Sequence, residues 1–162
     1  MKTRTLTLSF LTLAALALAA VWIADAFAPP PSAFTMRPDD PATLALGEKI
    51  YRQHCAACHG EKLEGQTNWR ERNAQGLLPA PPHDASGHTW HHPDEVLFKL
   101  TKYGVGKAAR LTDYASVMPA YEGVLSDTEI VAVLSWIKST WPAQVRATQE
   151  QVNATHEKAA AK

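Results

Sequence analysis

Two cysteines and a histidine within five residues, Cys55-Ala56-Ala57-Cys58-His59, constrain this chain more than any other feature of it. No further cysteine is present, so a four-cysteine zinc site and a disulfide framework are both excluded. C-x-x-C-H is the arrangement through which haem is attached covalently by two thioethers. Cysteines three apart at a helix end lie on one face, where both sulfurs reach the vinyl groups of a porphyrin, and the adjacent histidine can turn beneath the ring to the iron. A dithiol redox motif would need no histidine and is expected near a βαβ pattern, which this sequence lacks; a structural disulfide is the other alternative.

Haem iron held by histidine commonly takes a methionine sulfur on its other side, a soft ligand that favours Fe(II) and raises the potential. Of the three methionines, Met1 opens the chain and Met36 lies among prolines, which leaves Met118 in Ser116-Val117-Met118-Pro119-Ala120-Tyr121. Pro119 stiffens that loop. Core filling is the competing use of a methionine. The candidate site is therefore haem c bound by Cys55 and Cys58, with His59 and Met118 as iron ligands and no catalytic residue.

The N-terminus carries Lys2 and Arg4 ahead of an apolar run, Leu6 to Ala24, whose only polar members are Thr7, Ser9 and Thr12. As a helix the run would be roughly 28 Å long, close to the hydrocarbon thickness of a bilayer, whereas signal-peptide cores are shorter. Length favours an anchor with Trp22 at the far interface and the two cations in the cytoplasm, although Ala24-Asp25-Ala26 and Ala17-Leu18-Ala19 also resemble cleavage sites. Either way the remainder is expected outside the cytosol, on the periplasmic side. Residues 1–26 are expected as signal or anchor and 27–41, with five prolines, as a semi-extended linker. Residues 42–142 make the folded domain, and 143–162, polar and without an apolar face, a frayed helix or disordered tail.

Within the domain Ala42 to Ala57 reads as one helix, capped by Asp40 or Thr43. Pro93, Asp94 and Glu95 open a second helix that stops at Gly104-Val105-Gly106. Ser126-Asp127-Thr128-Glu129 is a capping box, and Ile130, Val133, Leu134, Ile137 and Trp141 form an apolar stripe before Pro142. No run alternates with period two, so strands are not expected.

From about Leu44 to Trp141 the sequence resembles the class I c-type cytochromes, small monohaem His/Met electron carriers. Gly47, Tyr51 and Cys55 stand in the family's order of glycine, aromatic and first cysteine; Cys-x-x-Cys-His-Gly, a Met-Pro loop and a final amphipathic helix with an aromatic follow. The resemblance implies an all-α, cytochrome c-like fold in which Gly47 lets the first and last helices cross closely, with Trp136 or Ile137 packed into the crossing. It also implies that a proline carbonyl accepts the Nδ1 proton of the ligating histidine, a role for which Pro79, Pro81 and Pro82 compete, and that Trp90 donates to a haem propionate unless it only packs.

His83, His88, His91 and His92 could instead gather a second metal, copper or zinc, though no acid or cysteine completes a recognisable site. The expected function is one-electron transfer to redox partner proteins at the membrane, with membrane contact through Leu6 to Ala24. A haem-containing docking subunit of an oxidase or dehydrogenase, and a haem sensor or enzyme with a labile sixth ligand, are the rivals. Sixteen Lys plus Arg balance sixteen Asp plus Glu, so nucleic acid is not proposed as a partner; Lys99, Lys102, Lys107 and Arg110 make one locally basic stretch that could steer an acidic protein.

Overall fold

The computed structural model describes residues 34–112 and 114–162. The expected anchor or signal at 1–26, including Leu6 to Ala24, and the linker up to residue 33 lie outside the described residues. Among the described residues every regular element is helical, and no helix is long and apolar enough to cross a membrane. Helix α1 spans Pro41–His54 and α2 Ala56–His59; a 3-10 turn at Thr89–His91 leads to α3, Asp94–Tyr103. The short α4, Val105–Ala108, is followed by α5, Asp127–Ser139, and α6, Ala143–Ala160.

Local chemistry accounts for most of the boundaries. Asp40 caps α1 by accepting from the Thr43 backbone N–H at 3.1 Å, and Pro41 stands in the first turn, where it sacrifices no hydrogen bond. The single helix expected over Ala42 to Ala57 is divided at Cys55, whose φ of −119° departs from helical values. Its amide still donates to Tyr51 O at 2.9 Å, and its carbonyl accepts from Cys58 N and His59 N at 3.1 and 2.9 Å. Asp94 and Glu95 occupy the first turn of α3, where the helix dipole favours negative charge. The expected stop at Gly104 is present with φ +79°, although α4 adds one more turn beyond it. In the capping box of α5, Glu129 accepts from the Ser126 amide at 2.8 Å while Ser126 Oγ accepts from the Glu129 amide at 3.3 Å.

Helices α1 and α5 cross at Gly47, where a β-carbon would stand 2.1 Å from the Ala132 carbonyl oxygen and 2.7 Å from Trp136 Cβ. Trp136 is thus the aromatic at the crossing, its ring 4.7 Å from that of Tyr51, while Ile137 faces the core. Ile50, Tyr51, Leu97, Phe98, Ile130, Val133, Leu134 and Trp141 complete the buried cluster.

Two segments behave differently from expectation. The C-terminal end of the linker is docked, with Met36 buried, the Phe34 and Phe98 rings 4.7 Å apart, and the Arg37 amide donating to Ser135 Oγ at 2.8 Å. Residues 143–162, expected to fray or be disordered, form the eighteen-residue α6, with Gln149 fully buried. What periodicity cannot register is a polar docking face. Asp94 Oδ1 accepts from Gln149 at 2.5 Å and from Asn153 at 3.1 Å, its Oδ2 accepts from the Met36 amide at 3.0 Å, and its own amide donates to Asn153 Oδ1 at 2.8 Å. Lys138, 1% exposed, lies 3.6 Å from Asp94 and 2.5 Å from Glu150. One buried carboxylate therefore ties the linker, α3, α5 and α6 together, and each buried polar group in the network has its partner.

Two substitutions test these junctions by the denaturant midpoint of the purified protein. Gly47→Ala must push α1 off the α5 backbone and is expected to cost about 3 kcal/mol. Gln149→Leu keeps the volume but removes a buried donor to Asp94, for an expected loss of about 2 kcal/mol; a tail that did not dock would leave the midpoint unchanged.

Candidate haem site

The break at Cys55 and helix α2 after it carry three of the four sequence-expected residues. Cys55 is partly buried and Cys58 exposed, and neither is disulfide-bonded. Burial, with a lesser contribution from nearby Cys58, pushes the Cys55 thiol up to about 11. A reactive dithiol needs the opposite, a depressed pKa in an electropositive setting, so the pair does not resemble a redox-exchange site. Tyr51 closes the turn from below, its hydroxyl donating to the Gly60 carbonyl at 2.8 Å. Gly60, with φ +83°, lets the chain leave directly after His59 in a conformation that an L side chain rarely adopts.

His59 is 7% exposed, and its Nδ1 lies 2.8 Å from the carbonyl oxygen of Pro81. A carbonyl only accepts, so Nδ1 carries the proton and Nε2 keeps its lone pair. Burial lowers the pKa of the ring, outweighing the Pro81 bond, and so favours the neutral imidazole that a metal requires.

Of the three competing prolines, Pro81 is placed by anchors on both sides of it. Ala80 accepts from the Gln66 amide at 2.9 Å and donates to Gln66 Oε1 at 2.8 Å; the His83 amide donates to Leu63 O at 2.8 Å, and the His83 carbonyl accepts from Trp141 Nε1 at 2.8 Å. Leu63 takes a left-handed φ of 67°, unusual for a branched side chain, and is held there by burial and by the amides of His83 and Asp84 on its carbonyl. The sequence does not mark Gln66, Leu63 and Trp141 as loop anchors, because each acts through hydrogen bonds to residues distant in the chain and leaves no local pattern.

Met118 is partly buried against the core cluster. Its loop is pinned three residues later, where Tyr121 accepts a place beside α3 through its amide on Thr101 O at 3.2 Å and donates its hydroxyl to His54 O at 2.6 Å. His54 immediately precedes Cys55, so the Met118 loop and the cysteine turn share one anchor. Burial and then the neighbouring cysteines push the Tyr121 phenol up to about 12, which keeps it a donor.

Trp90 Nε1 donates to Ala85 O at 3.3 Å, and its ring stacks on His91 at 3.7 Å. The four loop histidines do not form one cluster: His83 stacks on His59, His88 stacks on Trp69 with the His92 ring edge-on at 5.5 Å, and among the described residues no group of three His, Cys, Asp or Glu is placed to hold a metal. The basic stretch is largely internally paired, Lys99 with Glu95, Lys102 with Asp127 and Lys107 with Glu122, so it offers less steering charge than its composition suggests.

The donor set fits haem c. Two unlinked thiols stand three residues apart, and a neutral imidazole has its Nδ1 committed to a carbonyl and its Nε2 available. A family model described as cytochrome c oxidase, cbb3-type, subunit III, matches residues 42–137, and no curated protein or solved structure matches the chain. The match spans α1 through most of α5, the helices that surround the cysteine turn and the Met118 loop. The chain thus belongs to the cbb3-type subunit III family of cytochrome c domains, which hold haem c covalently and transfer electrons through it.

Proposed function

We propose that this domain is a periplasmic one-electron carrier in which Cys55 and Cys58 form the thioethers and His59 and Met118 are the axial ligands. When bound, haem c supplies a one-electron Fe(II)/Fe(III) couple. In this reading the residues around it bind and orient the group. His59 presents Nε2 because Pro81 holds the proton on Nδ1. Met118 contributes a soft thioether from a loop stiffened by Pro119 and pinned through Tyr121. The single observation that carries the proposal is the His59–Pro81 bond, because it fixes tautomer and ring position for ligation and serves no dithiol chemistry.

Export and anchoring through Leu6 to Ala24 would keep the domain at the outer face of the inner membrane and raise its concentration near membrane-bound redox partners. The family's description favours a second reading, a haem-bearing subunit docked on a respiratory oxidase. The two differ in a direct measurement. A carrier exchanges electrons with soluble partners when isolated and purifies alone, whereas a subunit co-purifies with its oxidase after mild detergent extraction.

Intact mass and absorption spectra of oxidised and reduced protein test the ligand set. The expected result is one haem per chain held through two thioethers, with the ferric band of methionine ligation. Met118→Leu is expected to abolish that band and lower the potential on the order of 0.1–0.2 V, a fraction of the roughly 0.8 V that axial ligation spans. Retention of both band and potential would remove Met118 from the site.

A further inference from the structure

One hydrogen bond fixes a point on an imidazole but not the plane of its ring. With Nδ1 of His59 on Pro81 O, the ring can still tilt about the line joining the two atoms. A second contact removes that freedom: the His83 ring lies face to face with His59, centroids 3.9 Å apart and planes 20° from parallel. We propose that His83 is a positioning residue that sets the ring plane of the axial histidine, a role that rests on His59 being the iron ligand.

The supports of His83 exceed what a filler side chain needs. Its Nδ1 lies 2.8 Å from Oγ1 of buried Thr89, its amide and carbonyl are bonded to Leu63 and Trp141, and the edge of Tyr51 approaches its ring at 6.5 Å. Backbone and side chain are thereby held from four directions, so the platform against His59 is rigid. The same loop thus supplies, two residues apart, the acceptor that selects the tautomer and the surface that selects the plane. The plane of an axial imidazole determines which iron d orbital carries the unpaired spin of the ferric state. Misplacing it therefore alters magnetic spectra without any loss of ligand.

The test compares His83→Leu, His83→Phe and Thr89→Val with the wild type as full-length, haem-loaded protein, by electron paramagnetic resonance and by the proton NMR shifts of the haem methyls. Leucine keeps apolar volume but removes the flat face; phenylalanine keeps the face and loses the Thr89 bond. His83→Leu is expected to change the g values and the order of the methyl shifts, or to double the signals, with both thioethers intact by mass. His83→Phe should restore a single set near that of the wild type, and Thr89→Val should move the same signals by a smaller amount. Unchanged g values and shifts in His83→Leu would overturn the proposal. Should that variant fail to hold haem, an unchanged Thr89→Val spectrum would overturn it and a displaced one would support it. A wild-type spectrum without histidine ligation would instead overturn the ligand assignment beneath it.

Discussion

The hydrogen bond from His59 to the Pro81 carbonyl joins two segments that no short-range rule of the sequence would bring together. It joins the last residue of α2 to a loop twenty-two positions away, and at 2.8 Å it tolerates little displacement of either. A side-chain acceptor could rotate to compensate; a backbone carbonyl cannot. The whole loop must therefore be held in place, and its hydrogen bonds to Leu63 and Gln66 in the stretch after α2 and to Trp141 after α5 do this from two parts of the chain. Trp141 belongs to the segment just after α5, so the α1–α5 crossing and the orientation of the candidate ligand are mechanically connected. Gly47, twelve residues before His59, bears on the site because it sets how closely that crossing closes.

A second junction, around Asp94, adds directed polar contacts to apolar packing. Asp94 opens α3, and its carboxylate collects donors from the linker, from α6 and, at longer range, from Lys138. Burying such a group is costly unless every lone pair is used, and removing one partner leaves the remainder uncompensated. Polar docking of this kind is directional, so it specifies where α6 lies more sharply than an apolar stripe would. Gln149 also reaches the His92 carbonyl at 3.3 Å, which ties α6 to the loop that leads away from His83.

The parts of the fold that were legible in the sequence are those governed by short-range rules. Asp40 before Pro41, the Ser126 to Glu129 box and the α5 stripe each follow from steric or hydrogen-bonding preferences within four residues. Cys55, Cys58 and His59 are readable for the same reason. Choosing Pro81 over Pro79 and Pro82 required knowing which carbonyl the anchors on either side would aim, and those anchors act across the fold. Helix α6 escaped because its one fully buried side chain is Gln149 and partly buried Val145 and Val152 share that contact with polar Asn153, so a count of apolar positions finds no stripe. The division of the first helix at Cys55 is likewise invisible to propensity, since neighbouring alanines would continue a helix without a break.

Both candidate axial residues are referenced to the same short stretch at the end of α1. Tyr51 fixes the turn beneath His59 through the Gly60 carbonyl, and Tyr121 fixes the Met118 loop through the His54 carbonyl. The two anchor points, Tyr51 and His54, lie one helical turn apart on one helix end, so a displacement of α1 carries the histidine side and the methionine side with it. The two candidate ligands thus share one reference at this end of α1, while the ring of His59 depends in addition on the Pro81 loop. For electron transfer through haem this matters more than tight binding, because the surrounding protein must change little when the charge on the group changes. Ligands supported by rigid neighbours and hydrogen-bonded on their far sides are the way a fold meets that demand. In this chain two tyrosine hydroxyls and one proline carbonyl supply the support.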